Sequence, residues 1–174
     1  CLLFVMSCTA KNNRKEIWMY ASSYKEVLAM YEPELKIAFP DFDVKFFQAG
    51  SEVVATKIQT ELAAGKVKAD LLMTSDVFFF QDLATKGHLA ALEQPLLKDL
   101  PQSYIEKEKR YIISRFPVMV LAFHSSVPEK DRPKSFADLA DPKFKGKITM
   151  PSPMESGTAL TTVIFLKNLL GDEY

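Results

Sequence analysis

Four short stretches of this sequence gather hydroxyls, glycine and charge of the kind that hold a small polar solute. They are Ser22-Ser23-Tyr24, Gly50-Ser51, Thr74-Ser75-Asp76 and Glu155-Ser156-Gly157-Thr158. Each follows a strand-like apolar run and opens an amphipathic helical pattern. At such a junction in an open α/β sheet, hydroxyls and the unpaired N–H groups of a helix start face the crevice at the carboxyl ends of the strands. The chemistry on offer is capture by hydrogen bonds, with anions favoured.

Each of these residues also has a plainer reading. Ser22 or Ser23 can serve only as a helix N-cap, although two adjacent hydroxyls favour at least one ligand contact. Ser51 is read as a cap and a donor, and Gly50 permits close approach of the backbone. Thr74 and Ser75 are hydrogen-bond donors, whereas Asp76 is better placed to cap the next helix than to bind metal. Ser156, Gly157 and Thr158 form either an N-cap with a turn glycine or a ligand contact. Pro151 and Pro153 stiffen the loop before them, so this is the strongest single site. Glu155 suits an amine or a metal. Arg115, beside Pro117, can grip a phosphate or carboxylate bidentately or form an interdomain ion pair.

The same chain lacks the parts of an enzyme site. His88 and His124 stand apart, with no partner at i+3 or i+4, and there is no nucleophile elbow. Phe46-Phe47 and Phe78-Phe79-Phe80 read as core and helix packing rather than stacking platforms.

The elements that position these residues are β-α units. Ile17–Tyr20 is a strand, followed by a helix with Tyr24, Val27, Leu28, Tyr31 and Leu35 on one face. Phe42–Phe47 is the second strand, and the helix carrying Val53, Val54, Ile58 and Leu62 is closed by Gly65. Ala69–Thr74 is the third, leading to a helix capped by Ser75 or Asp76 and ended by Gly87. Successive strand-helix units imply a parallel sheet with right-handed crossovers. After a charged connection over residues 93–109, strands are expected at Tyr111–Ser114 and Val118–Phe123. Pro117 interrupts them and marks an interdomain crossing. A helix at Phe136–Ala140, a strand at Ile148–Met150 and a helix from Thr158 to about Leu170 complete the reading. The second domain then has too few strands to close a sheet of usual size, so a fragment truncated at both ends is expected.

The 174 residues are 48% apolar and carry 22 basic and 22 acidic side chains. That balance removes the electrostatic drive for nucleic-acid binding. Cys1 and Cys8 are too near one end to staple the fold. Leu2–Ser7 resembles the apolar end of a secretory signal, and Val5-Met6-Ser7-Cys8 a bacterial lipobox, which would put lipid on Cys8 after processing. The expected organisation is signal and lipobox at 1–8, tether at 9–16, first lobe at 17–115, and crossing strand with incomplete second lobe at 116–174.

Taken in order, several motifs resemble family 1 extracellular solute-binding proteins of bacterial ABC importers. They are Trp18-Met19-Tyr20-Ala21-Ser22-Ser23-Tyr24, Gln48-Ala49-Gly50-Ser51, Lys68-Ala69-Asp70-Leu71-Leu72, Lys134-Ser135-Phe136-Ala137-Asp138-Leu139, Phe144-Lys145-Gly146-Lys147-Ile148 and Glu155-Ser156-Gly157-Thr158. The branch is that of ferric-iron, thiamine, phosphonate and sugar-phosphate binders.

The resemblance implies a two-lobe α/β periplasmic-binding-protein fold of type II that closes over a ligand. It also implies no catalysis, no cofactor beyond ferric iron as possible cargo, and delivery to an inner-membrane permease. A monomer is expected, in the periplasm or tethered to the outer face of the cytoplasmic membrane through Cys8. Tyr24 falls where iron binders often carry a histidine ligand, and Ser75 where they tend to carry a glutamate. Tyr24 and Glu155 are therefore the candidate metal ligands, and the hydroxyl-rich first lobe leans toward an oxyanion or phosphorylated solute. A ligand-sensing effector domain of a regulator, with the same two lobes, is the alternative.

Overall fold

The computed structural model describes residues 14–172. Three parallel strands, β1 (Lys15–Ala21), β2 (Phe42–Gln48) and β3 (Leu71–Met73), form a sheet in the order β2-β1-β3. Helix α1 (Lys25–Ala38) connects β1 to β2, and α2 (Ser51–Ala63) connects β2 to β3. Helix α3 (Val77–Thr85) follows β3, then a short α4 (Gln94–Leu97), and the long α5 (Gly157–Leu170) comes after an extended stretch of turns. The expected β-α units are present, and β1 begins at Lys15, inside the stretch read as tether. Cys8, where lipid is expected, lies outside the described residues.

Tyr20, buried to 1%, anchors the core with Val54, Ala55, Ile58, Phe79 and Leu83, so α2 and α3 pack their apolar faces around the end of β1. Phe47 meets the Tyr20 ring at 5.0 Å between centroids. Each such large side chain removed from water contributes on the order of 1.5–3 kcal/mol, which fixes the carboxyl ends of the strands more firmly than their starts.

Helix ends follow the sequence signals. Asp76 caps α3, its Oδ1 accepting from the N–H groups of Phe78 and Phe79 at 3.0 and 3.1 Å. At the other end Gly87 has φ +74°, with its N–H on the Ala84 carbonyl and that of His88 on the Leu83 carbonyl. This paired closure needs a left-handed residue, which glycine supplies without steric cost.

The second part of the chain departs from expectation. Val118–Phe123 and Ile148–Met150 are not strands, and Tyr111–Ser114 contributes only an isolated antiparallel bridge between Ile105 and Ile112. Val118, Val120 and Ile148 are exposed. A ladder forms only where a neighbouring strand takes up the backbone groups, and no described strand pairs with these segments. The helix expected at Phe136–Ala140 is a 3-10 turn, Ala137–Ala140. There the Asp138 carboxylate accepts from the N–H groups of Lys134 and Ser135 at 2.7 and 3.1 Å and favours a local turn. Pro142 lies just beyond and limits any α-helical continuation.

Candidate functional site

Sheet register brings the first hydroxyls together. Ala21 pairs with both Gln48 and Met73, so the three strands end level and the residues after them emerge side by side. The Ser22 N–H donates to the Met73 carbonyl at 2.8 Å and that of Ala49 to the Ala21 carbonyl at 3.3 Å, which carries the ladder into the loops.

Ser51 is the hub. Its hydroxyl donates to Ser22 Oγ at 3.0 Å and lies 3.0 Å from Ser75 Oγ. Thr158, in the first turn of α5, donates through Oγ1 to Ser75 Oγ at 3.2 Å, across 83 residues of chain. Since the Ser51 proton goes to Ser22, Ser75 donates to Ser51 and the chain runs Thr158, Ser75, Ser51, Ser22. The Ser22 hydroxyl proton is left over at its end. Ser51 is only 4% exposed, and the other three are half-buried.

Neighbouring groups hold this constellation in place. Gln48 Nε2 donates to the Ser23 carbonyl at 2.8 Å, and Arg115 Nη2 reaches the Ser22 carbonyl at 3.4 Å. Arg115 therefore stands at the cluster, although it is exposed. Ser156 caps α5 by accepting from the Ala159 N–H at 3.3 Å, and Thr162 Oγ1 donates to the Thr158 carbonyl at 2.8 Å. Gln48 and Thr162 were not singled out from the sequence. Gln48 had a signal, as the polar last residue of a largely apolar strand, while Thr162 had none beyond its i+4 spacing from Thr158.

Other expected contacts lie off the cluster. The N-cap of α1 is Tyr24 rather than Ser22 or Ser23, and Tyr24 is 79% exposed. Ser23 Oγ is buried without a hydrogen-bond partner. Ser51 is not a cap, because Gly50 takes that position and leaves the Ser51 side chain inside the first turn of α2. Thr74 Oγ1 accepts from the Asp76 N–H at 3.1 Å, which shapes the turn before α3. The Glu155 side chain is exposed, while its carbonyl lies against Gly50.

The local field suits an anion. Helix α5 has the neutral Ser156 as its cap and no acidic residue in its first turn, so the partial positive charge of its N-terminus is not offset there, whereas the Asp76 carboxylate already offsets that of α3. Burial, and then the charge of Asp76, raises the pKa of Glu52 above the usual carboxylate value. A cleft of about 190 Å³ borders Ser75 and Thr158 and continues between Pro117, Met119, Phe165 and Leu166.

Comparison with known proteins bears on this arrangement. A family model described as bacterial extracellular solute-binding protein matches residues 66–173. The fold is similar to that in the crystal structure of iron-bound HitA from Pseudomonas aeruginosa, with a TM-score of 0.67 and 23% identity. That match covers 91% of this chain and 51% of HitA, so the chain spans about half the length of that protein. The α/β fold of this chain is thus shared with part of that structure. By the family match over residues 66–173, the chain belongs to the bacterial extracellular solute-binding proteins.

Proposed function

We propose that this chain is part of the substrate-binding component of a bacterial ABC importer, that it captures a small oxyanion, phosphate-like in charge and shape, and that it hands the solute to a membrane permease without chemical change. The observation that carries this reading is the convergence of the Ser22, Ser51, Ser75 and Thr158 hydroxyls, spaced 3.0–3.2 Å apart, from four separate strand or helix ends. Neutral hydroxyls that now bond one another gain by exchanging those bonds for charge-assisted ones to an anion, which are roughly twice as strong. The first lobe (17–115) supplies three of the hydroxyls and the second (116–174) supplies Thr158 with the N-terminus of α5. Arg115, beside the Ser22 carbonyl, needs only a rotamer change to add a bidentate grip.

The HitA structure is iron-bound. Here the strand ends offer hydroxyls, Asp76 Oδ1 is committed to its cap, and no three metal-ligating side chains of the His, Cys, Asp and Glu type cluster among the described residues. That donor set favours an oxyanion over ferric iron. The site of action is extracytoplasmic, with lipid on Cys8 as the tether.

Native mass spectrometry of the full-length protein, purified without denaturation, tests the assignment. The expected result is a bound phosphate-sized anion that is lost in Ser51→Ala. A red, iron-loaded protein without such an anion overturns it.

A further inference from the structure

Two glycines stand where the two jaws of the cluster meet, one jaw being the ends of β1, β2 and β3 and the other the loop before α5 with its first turn. A Cβ added to Gly50 would lie 2.5 Å from the Glu155 carbonyl oxygen. One added to Gly157 would lie 2.9 Å from Ser51 Cβ, 3.0 Å from Ser51 Oγ and 3.2 Å from Ser75 Oγ. The obstacles are backbone and short side chains of a packed cluster, which cannot swing aside as a long flexible side chain would.

Local structure does not ask for glycine at either place. Gly50 has φ −64° and ψ 158°, an extended conformation open to any residue. Gly157 begins an α-helix, where glycine is a poorer choice than alanine. Close approach of the two jaws accounts for both.

Resting on the oxyanion reading above, we propose that Gly50 and Gly157 are specificity-determining positions. They set how nearly the jaws meet and so confine the site to a compact oxyanion. Only a ligand small on every side touches Ser51, Ser75 and Thr158 together while Gly157 stays against Ser51. A bulky substituent holds α5 away from the hub and forfeits the bond from its side of the cleft.

The test is titration calorimetry on the full-length protein with inorganic phosphate and with glucose 6-phosphate. The wild type is expected to prefer inorganic phosphate by about tenfold or more. Gly157→Ala should weaken inorganic phosphate by about tenfold and glucose 6-phosphate by less than about threefold, and Gly50→Ala should act in the same direction. An unchanged preference, or equal losses for both ligands, overturns the proposal. Thermal unfolding without ligand separates this claim from the oxyanion reading. Gly157→Ala should lower the midpoint, and Ser51→Gly added to it should restore part of the loss, because it removes the clashing atoms. Strictly additive losses overturn the glycine claim even if the wild type binds phosphate. A wild type that binds neither anion overturns the oxyanion reading and, with it, the size selection.

Discussion

Glu61 offers a quantitative test of how the sheet is held beneath the site. Its carboxylate accepts from the Tyr20 hydroxyl at 2.7 Å and the Lys68 N–H at 2.9 Å, and it pairs with the Lys57 ammonium at 2.9 Å. Burial pushes its pKa up, but the Lys57 ammonium, the Lys68 N–H and the Tyr20 hydroxyl outweigh that and hold it at about 2. A carboxylate whose folded pKa lies below its unfolded value adds stability above the unfolded value. That stability is lost as pH falls through the folded one. The window is therefore from about 4.5 down to about 2. At roughly 1.4 kcal/mol per pKa unit the full contribution is about 3 kcal/mol, of which about 2 kcal/mol is gone by pH 3. The Glu61 side chain is 15% exposed and that of Lys57 36%. Solvent screening at that edge lowers the expected loss at pH 3 to about 1–2 kcal/mol. Glu61→Gln keeps an acceptor for Tyr20 and removes the charge. Urea unfolding of the full-length protein from pH 7 to pH 3 should show the wild type losing about 1–2 kcal/mol more than the variant, nearly all of it below pH 5. Identical pH slopes for the two proteins would refute the reasoning.

Two further predictions concern the ends of α3. Asp76→Ala removes the acceptor for two amides and should lower unfolding free energy by about 1–2 kcal/mol, read as a shift in the urea midpoint without a change in slope. Gly87→Ala meets no atom within 4 Å, so its cost is the left-handed backbone alone, about 1–2 kcal/mol by the same measurement. A neutral Gly87→Ala would mean that the helix end is not held in the conformation described.

The first part of the chain was readable because its signals are local. Apolar runs ending at Ala21, Gln48 and Met73, each followed by a polar turn and a helical face, define parallel units whatever lies elsewhere in the chain. Asp76 and Gly87 carry their meaning in their own side chain or lack of one. The second part was less readable, because Val118–Phe123 and Ile148–Met150 have strand-like composition and a strand also needs a neighbour. For the candidate site, pattern singled out Ser22, Ser51, Ser75 and Thr158, which the fold brings together, but not their bonding order. Ser51 looked like a cap because serine before a helical run usually is one. It is instead the hub, because Gly50 takes the cap and turns the Ser51 hydroxyl inward. Gln48 and Thr162 act through single long-range or backbone bonds, which leave little trace in composition.

The long sequence gap between Ser75 and Thr158 also separates the hydroxyls in time. Ser22, Ser51 and Ser75 are linked across 24 to 29 residues and Ser75 and Thr158 across 83, so the first three meet at a smaller loop-closure cost and without the later part of the chain. The half-cluster so formed has donors facing water and no α5 above it. On the oxyanion reading proposed above, an anion that met this half-cluster would stabilise it by mass action until the later segment arrived to complete the enclosure.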